Sequence, residues 1–488
     1  MTNLHVDAKA RENNVKRCRE RGIVIPTLSQ QKCPERIPQT IVTKIKDVNL
    51  WDVAPVNLFR ITWKNEPKGK GGVFGKVNRM VFPPELTGVE ARIVALVGKW
   101  FPTGSHKVGA AFGCLVPTLI TGNFDSTRQR AVWPSTGNFC RGGAYNSALL
   151  GCESVAVLPE EMSRERFDWL SRMAGEVIVT PGGESSVKEV LDRCRELKRE
   201  HGNRVVIFNQ FEEFGNYLWH YEVTGNAAKE VVEEVTSGSK RAVGFVSLTG
   251  SSGTIAAGDF LKQNYPELKI CAGEALQCPT LLSNGFGGHR IEGIGDKHVP
   301  WIHNVRNTDL VIAVDDQDCM DVVRLFNEPK GKEYLGKVGV DEATVNRLHL
   351  LGISGIGNLL AAIKFSKYYE LSSSDVVATV LTDSMELYES RLSELQDRFG
   401  ALTREDAARI MDRSISHQKT DNMIEPDYRQ RKRIHNLKYY TWVEQRGKSA
   451  GELNRQWYDP GYWTDVQRQA AAIDELVVRF NEDVGLQY

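Results

Sequence analysis

The chain has 488 residues, too many for one small core, so two or three domains or one large lobed unit are expected. Apolar residues make up 41% and charged residues 25%, ordinary for a soluble globular protein, and 62 Lys+Arg offset 62 Asp+Glu. That balance leaves no global field for nucleic acid or an anionic membrane, and no apolar run approaches the roughly 20 residues of a membrane span.

Met1–Arg21 is polar and charged and lacks an apolar signal core, so no secretory signal is read and a cytoplasmic location is expected. Nine scattered cysteines without a CxxC pair suit reduced thiols better than a disulfide framework, and no metal site is expected. Residues 1–40 read as a flexible or surface-packed arm. The Gly- and Lys-rich stretch Lys64–Gly75 reads as a surface loop; it lacks the Lys-Ser/Thr ending of a phosphate-cradling Walker loop.

A short apolar run, Ala91–Val97, leads to Phe101-Pro-Thr-Gly-Ser-His-Lys107. A lysine behind a Pro/Gly turn at a strand end is held by the scaffold. If buried, it loses solvation, its charged form is disfavoured, and it can act as an amine nucleophile.

Strand-like and helix-like stretches then alternate. Ala131–Trp133, Ser154–Leu158, Val177–Thr180, Val205–Asn209, Val243–Leu248, Leu268–Gly273 and Val376–Leu381 read as strands. Helical segments lie between most of them, including a small-residue helix from Gly142. This pattern predicts an α/β fold with a mostly parallel sheet covered on both faces, its ligands held by loops at the C-terminal strand edge. From about Arg391 the alternation gives way to a polar, mostly helical remainder. It carries a basic run at Arg429–Arg433, expected to be a solvated helix face, and an aromatic, loop-like segment at Trp457–Trp463.

Three strand-end loops offer polar groups. Gly250-Ser-Ser-Gly-Thr254 opens a helix with free N–H groups and hydroxyls, suited to phosphate or equally to a plain capped turn. Pro134-Ser-Thr-Gly-Asn138 offers hydroxyls and an amide, and Thr382-Asp-Ser384 follows the last strand; either could be a simple helix cap.

With Lys107 these parts, in this order, resemble the cysteine synthase and cystathionine β-synthase family of pyridoxal-phosphate enzymes, of fold type II, over roughly Thr40 to Leu395. Further matches are Met162-Ser-Arg-Glu-Arg166, Asn209-Gln-Phe211 with His220–Gly225, Gly288–Gly295, and Tyr388 beside Thr382–Ser384. The resemblance implies two lobes, each with a mostly parallel twisted sheet flanked by helices. A smaller lobe of about residues 92–215 is inserted in a catalytic domain of residues 41–395, and residues 396–488 form a helical C-terminal extension. The extension resembles neither the regulatory module nor the haem-binding arm of some relatives, and is read as a helical cover or dimer contact.

The resemblance also implies roles. Lys107 holds pyridoxal 5′-phosphate and shuttles the Cα proton, Asn138 bonds the cofactor's 3-oxygen, and Gly250, Ser251, Ser252, Gly253 and Thr254 bind its phosphate. His106 looks like a histidine of tryptophan synthase β that lies near the phosphate; Ser354 lies near the cofactor, and Ser384 bonds the pyridine nitrogen. Ser135, Thr136, Gly137 and Gln210 hold the substrate carboxylate, with Gly293 over the site; Phe139 replaces the family's usual threonine and puts the amino-acid substrate in doubt. A neutral hydroxyl at the ring nitrogen makes the ring a weaker electron sink and favours β-chemistry over transamination.

The implied activity is β-replacement on an L-serine or L-cysteine derivative through an aminoacrylate, with sulfide or another nucleophile. The alternatives are a β-eliminating lyase giving pyruvate and ammonia, or a catalytically silent homologue that binds a partner. A homodimer is expected, with no nucleic-acid or membrane partner.

Overall fold

The structure, a computed structural model, describes residues 1–67, 72–135, 137–184, 186–236, 241–295 and 297–486. Thr136 and most of the Pro67–Gly72 loop lie outside the described residues.

Among the described residues, eleven strands form two sheets. They are β1 (Arg79–Phe82), β2 (Arg92–Val97), β3 (Arg130–Pro134), β4 (Ser154–Pro159), β5 (Glu176–Thr180) and β6 (Val205–Ile207), followed by β7 (Arg241–Leu248), β8 (Lys269–Ala275), β9 (Leu310–Val314), β10 (Asp375–Leu381) and β11 (Met423–Ile424). The larger sheet runs β1-β2-β10-β7-β8-β9-β11 and the smaller β5-β4-β3-β6. All pairs are parallel except β1 with β2 and β9 with β11. Every residue of β9 and β10 is buried, as parallel strands covered on both faces require.

Parallel pairing places the functional loops together. Leu381 of β10 pairs with Val97 of β2, so the chain leaves both strands at the same edge. Val132 of β3 pairs with Ile207 of β6, which brings Ser135–Asn138 beside Asn209–Phe211.

Small residues set the helix spacing. The helix Asn138–Leu149 lies against Lys107–Thr121; a Cβ on Gly142 would sit 2.7 Å from Val108 Cα, and one on Gly113 would sit 2.3 Å from Gly215 O. Backbones approach this closely only without side chains between them.

The structure corrects four of the sequence-based expectations and decides between the alternatives of a fifth. Arg92–Val97, expected in the smaller lobe, is a strand of the larger sheet, whose partner β10 lies far along the chain. Strands β1, β9 and β11 go beyond those expected. The N-terminal arm is a packed element: the helix Ala8–Glu20 buries Val15 and Cys18, and its Arg19 donates to the carbonyls of Asp483 and Val484 at the far end of the chain. Trp457–Trp463 is not a loop. Trp457 and Tyr458 end the helix Ala450–Tyr458, and Tyr462 and Trp463 begin Tyr462–Val484, broken only where Pro460 and Gly461 interrupt. In the basic run, on helix Tyr428–Lys438, Arg431 bonds Thr308 O and Arg433 bonds Leu281 O, so these arginines tie the extension down.

Cys18, Cys33, Cys114, Cys140, Cys152, Cys194, Cys271 and Cys319 are free thiols. No helix among the described residues is long and apolar enough to cross a membrane.

Candidate active site

From β2 the chain passes Gly98, where a Cβ would lie 2.4 Å from Thr382 O, and then Thr103 and Gly104, both left-handed (φ 68° and 70°). The turn presses against the end of β10: His106 N donates to Thr382 O at 3.2 Å. A helix starts at Lys107, whose side chain is buried; its Nζ donates to Ser251 Oγ at 3.0 Å and Gln210 Oε1 at 3.3 Å. One amine thus joins a loop of the larger sheet to a loop of the smaller.

Ser251 and Gln210 are fixed from behind by Asn216, whose Nδ2 donates to Ser251 Oγ at 3.0 Å and Gln210 O at 2.9 Å. Gly253 lies flat on the same Asn216, where a Cβ would come within 2.1 Å of Oδ1. Ser252 holds a left-handed φ of 60°, and helix Ala256–Asn264 begins just beyond Thr254, so its N-terminal partial positive charge adjoins the cup. Asn358 joins the ends of β7 and β10, accepting from Leu248 N and donating to Val380 O, both at 2.7 Å.

On the other wall, Ser135 Oγ accepts from Gly137 N at 3.1 Å and Gln210 Nε2 at 3.4 Å. Asn138 Nδ2 donates to Asp383 Oδ2 at 2.5 Å. Phe139 meets Trp133 edge to face at 5.4 Å. Gly293, at φ 96°, donates its N–H to Glu184 Oε1 at 2.9 Å and lies close to Ser354.

These groups enclose a narrow cavity lined by Lys107, Ser135, Asn138, Gln210, Ser251 and Gly293 among others, with about 390 Å³ between its walls, mouth included. Gly250 and Phe139 also line it, and an adjoining space reaches Ser252 and Thr254. Outward lies a wider cleft of about 1940 Å³ on the same measure, bearing Glu161, Arg290, Glu292 and Arg391; Glu184 borders both spaces.

Not every expected residue reaches the cavity wall. His106, expected beside a phosphate, bonds Thr382 Oγ1 at 3.2 Å and packs among the rings of Trp63 and His220. Burial, then the nearby Lys107 charge, holds its pKa well below the ordinary imidazole value, so it is neutral. Ser354 and Ser384 stand one layer back, beside Gly293 and Thr382.

A buried network, to which sequence reasoning gave no role, underlies the substrate-side loop. Arg166, from helix Arg164–Met173, lies under Gly137, where a Cβ would be 2.5 Å from Arg166 Cδ. Its guanidinium meets Glu292 at 2.8 Å and the Tyr388 hydroxyl at 3.0 Å, with Glu184 at 3.7 Å. Tyr388 donates to Asp383 Oδ2 at 2.7 Å, and that carboxylate accepts from Asn138. Burial would lower the Arg166 pKa, yet Tyr388, Glu292 and Glu184 hold it above the ordinary value. Burial raises that of Asp383, against the pull of Tyr388, Arg166 and Asn138. Arg166 and Tyr388 stand within matched motifs, which was the available signal; Glu184 and Asn216 carried none.

Residues 99–332 match the family described as pyridoxal-phosphate dependent enzyme. A cysteine synthase of Staphylococcus aureus is 31% identical over 258 residues, which is 53% of this chain and 74% of that protein. The chain belongs to the cysteine synthase family of pyridoxal-phosphate-dependent enzymes. Solved structures share its fold. A hydrogen sulfide-producing enzyme from Fusobacterium nucleatum (TM-score 0.54, 23% identity) covers 64% of this enzyme and 96% of that chain. O-acetyl serine sulfhydrylase isoform 3 from Entamoeba histolytica (TM-score 0.56, 20% identity) covers 70% and 94%.

The cofactor of this enzyme is pyridoxal 5′-phosphate. The residues present fit it. Ser252 Oγ, Ser354 Oγ, Ser384 Oγ and Asn138 Oδ1 are all buried without a hydrogen-bond partner among the described residues; Asn138 lines the Lys107 cavity, Ser252 lines the adjoining space, and Ser354 lies behind Gly293 of the cavity wall. Buried polar atoms are nearly always satisfied, so such a cluster points to a polar ligand. Small residues and free hydroxyls at a helix start suit its phosphate.

Proposed function

We propose that this enzyme catalyses β-replacement on an L-serine or L-cysteine derivative, with sulfide or another nucleophile taking the place of the leaving group. Its main support is the placement of the buried Lys107 amine between Gln210 and Ser251, where loops of both sheets meet. The cofactor, when bound, supplies the electron sink for bond cleavage at the substrate's Cα.

The chain's own residues divide the remaining work. Lys107 Nζ holds the cofactor and carries the Cα proton. Gly250–Thr254 hold the phosphate through backbone N–H groups and hydroxyls. Asn138 uses its second Nδ2 proton for the cofactor's 3-oxygen, since the first is spent on Asp383. Ser135, Thr136, Gly137 and Gln210 hold the substrate carboxylate, and the outer cleft admits the second substrate. The Ser384 hydroxyl meets the ring nitrogen without charging it, which favours loss of the β-substituent over transamination. Residues 41–395 form the catalytic unit, and the protein works as a cytoplasmic homodimer.

Elimination to pyruvate and ammonia shares these steps up to loss of the leaving group, and one experiment separates the two. O-acetyl-L-serine, O-phospho-L-serine, L-serine and L-cysteine are each supplied with and without sulfide, and cysteine and pyruvate are measured. Replacement gives cysteine that depends on sulfide; pyruvate at the same rate with and without sulfide means a lyase. No product and no substrate-induced change in the visible spectrum would mean a silent homologue.

Ser384→Asp is expected to slow turnover about tenfold or more, a barrier change of about 1.4 kcal/mol, because a carboxylate would protonate the ring nitrogen. Thermal melting of the same variant isolates the separate cost of a second acid beside Asp383. Unchanged turnover would remove Ser384 as the ring's partner.

A further inference from the structure

The C-terminal extension lies beyond the residues matched to the family, yet it converges on the short segment Asn209–Phe214 that carries Gln210. The Phe211 ring, part of the cavity wall, meets His298 edge to face at 5.1 Å, and His298 meets Trp442 at 5.4 Å. Trp442 Nε1 is itself anchored on Val299 O at 2.8 Å. Phe211 O accepts from Trp301 N at 2.9 Å. Lys438, fully buried, spends its three protons on Trp301 O (2.9 Å), His303 O (2.7 Å) and Gln456 Oε1 (2.8 Å). Glu212 pairs with Lys448 at 2.7 Å, and the Phe214 ring packs against Tyr462 at 6.2 Å and Trp463 at 6.0 Å.

Three separate parts of the extension thus bear on Phe211, Glu212 and Phe214, the first of them through His298. Gln210, just before Phe211, turns to Lys107 and Ser135. The extension packs elsewhere too, on Leu281, Thr308 and the N-terminal helix, but at this connection it meets a loop of the site. A connection between strand and helix is also where a scaffold has least grip of its own. We propose that the extension is a positioning element of the active site: through Trp442, Lys448 and the Tyr462–Trp463 pair it fixes Asn209–Phe214 so that Gln210 faces the substrate carboxylate. This rests on the reading of Gln210 as a substrate ligand. Trp442 and Lys448 touch neither substrate nor cofactor and act through the segment they hold.

The test uses the full-length holoenzyme with Trp442→Leu, Lys448→Met, the conservative Trp442→Phe, and Arg468→Ala as a control in an exposed pair of the same extension. Hydrogen exchange of residues 209–214 is read alongside L-serine affinity from the visible spectrum and the split between KM and kcat. Trp442→Leu and Lys448→Met are expected to speed exchange in that segment and weaken L-serine binding, each about tenfold, with cofactor content and kcat nearly unchanged. Trp442→Phe restores both values, and Arg468→Ala changes neither. Should Trp442→Leu fail to fold, Lys448→Met decides, since its side chain is half-buried. Unchanged exchange, or faster exchange with unchanged L-serine affinity, overturns the proposal. If the wild-type holoenzyme binds no amino acid at all, the reading of Gln210 fails, and the exchange data alone then decide whether the extension holds the segment.

Discussion

Lys107→Ala is expected to abolish turnover, a loss of at least about 10³-fold, while the protein stays folded. The amine is the one group in the cavity placed both to bond an aldehyde and to carry a proton. Its neighbours survive its removal: Gln210 still donates to Ser135, and Ser251 still accepts from Asn216. Stability therefore changes by only about 1–3 kcal/mol, the usual worth of the two hydrogen bonds lost. Lys107→Arg separates charge from nucleophilicity, because an arginine keeps the cation but cannot serve as the amine. Both variants should lose the visible band of covalently held cofactor, and borohydride reduction of the wild type should mark Lys107 in a peptide digest. Wild-type turnover by either variant, or a label on another lysine, would end the assignment.

How far the sequence carries the fold depends on whether the signal is local. Val376–Leu381 is rich in β-branched residues and Val243–Leu248 is mostly apolar, each is followed by a polar turn, and both are largely buried strands of the larger sheet. Lys107 and Gly250–Thr254 stand out because Pro, Gly and Ser interrupt that pattern where parallel strands end. The sheet to which Arg92–Val97 belongs is settled by pairing with β10, almost the whole domain later, and no local period records that. Burial of charged groups is equally non-local: Arg166, Glu292 and Asp383 stand in matched motifs, but their residue types do not record that all three are buried. The surroundings of His106 are non-local too: the rings of Trp63 and His220, both distant in sequence, pack against it. The extension gave only its helical character; that it reaches Phe211, next to Gln210, through Trp442 and His298 is a tertiary fact.

Arg166→Met is expected to cost about 3–5 kcal/mol at neutral pH, the usual penalty for removing one partner of a buried ion pair. Methionine fills most of the same volume, so the loss is not chiefly a cavity. Glu292 keeps its contact with Arg391 at 2.5 Å, which places the expected value toward the lower end of that range. Asp383, whose pKa burial already raises, loses a compensating cation that lay behind Tyr388. With that cation gone, the folded-state pKa of Asp383 rises further above its unfolded value. A carboxylate raised in this way destabilises the folded protein when ionised and ceases to do so once protonated. The deficit against wild type is therefore complete at neutral pH and narrows as pH falls toward the ordinary carboxylate range, about 4. Urea unfolding of both proteins at several pH values reads this difference directly. Gly137 rests on the Arg166 side chain, so the same variant should raise KM for the amino-acid substrate more than it lowers kcat. A deficit that stays constant with pH would mean that Arg166 acts through packing alone, and the charge network joining Asn138 to both lobes would have no part in holding the site.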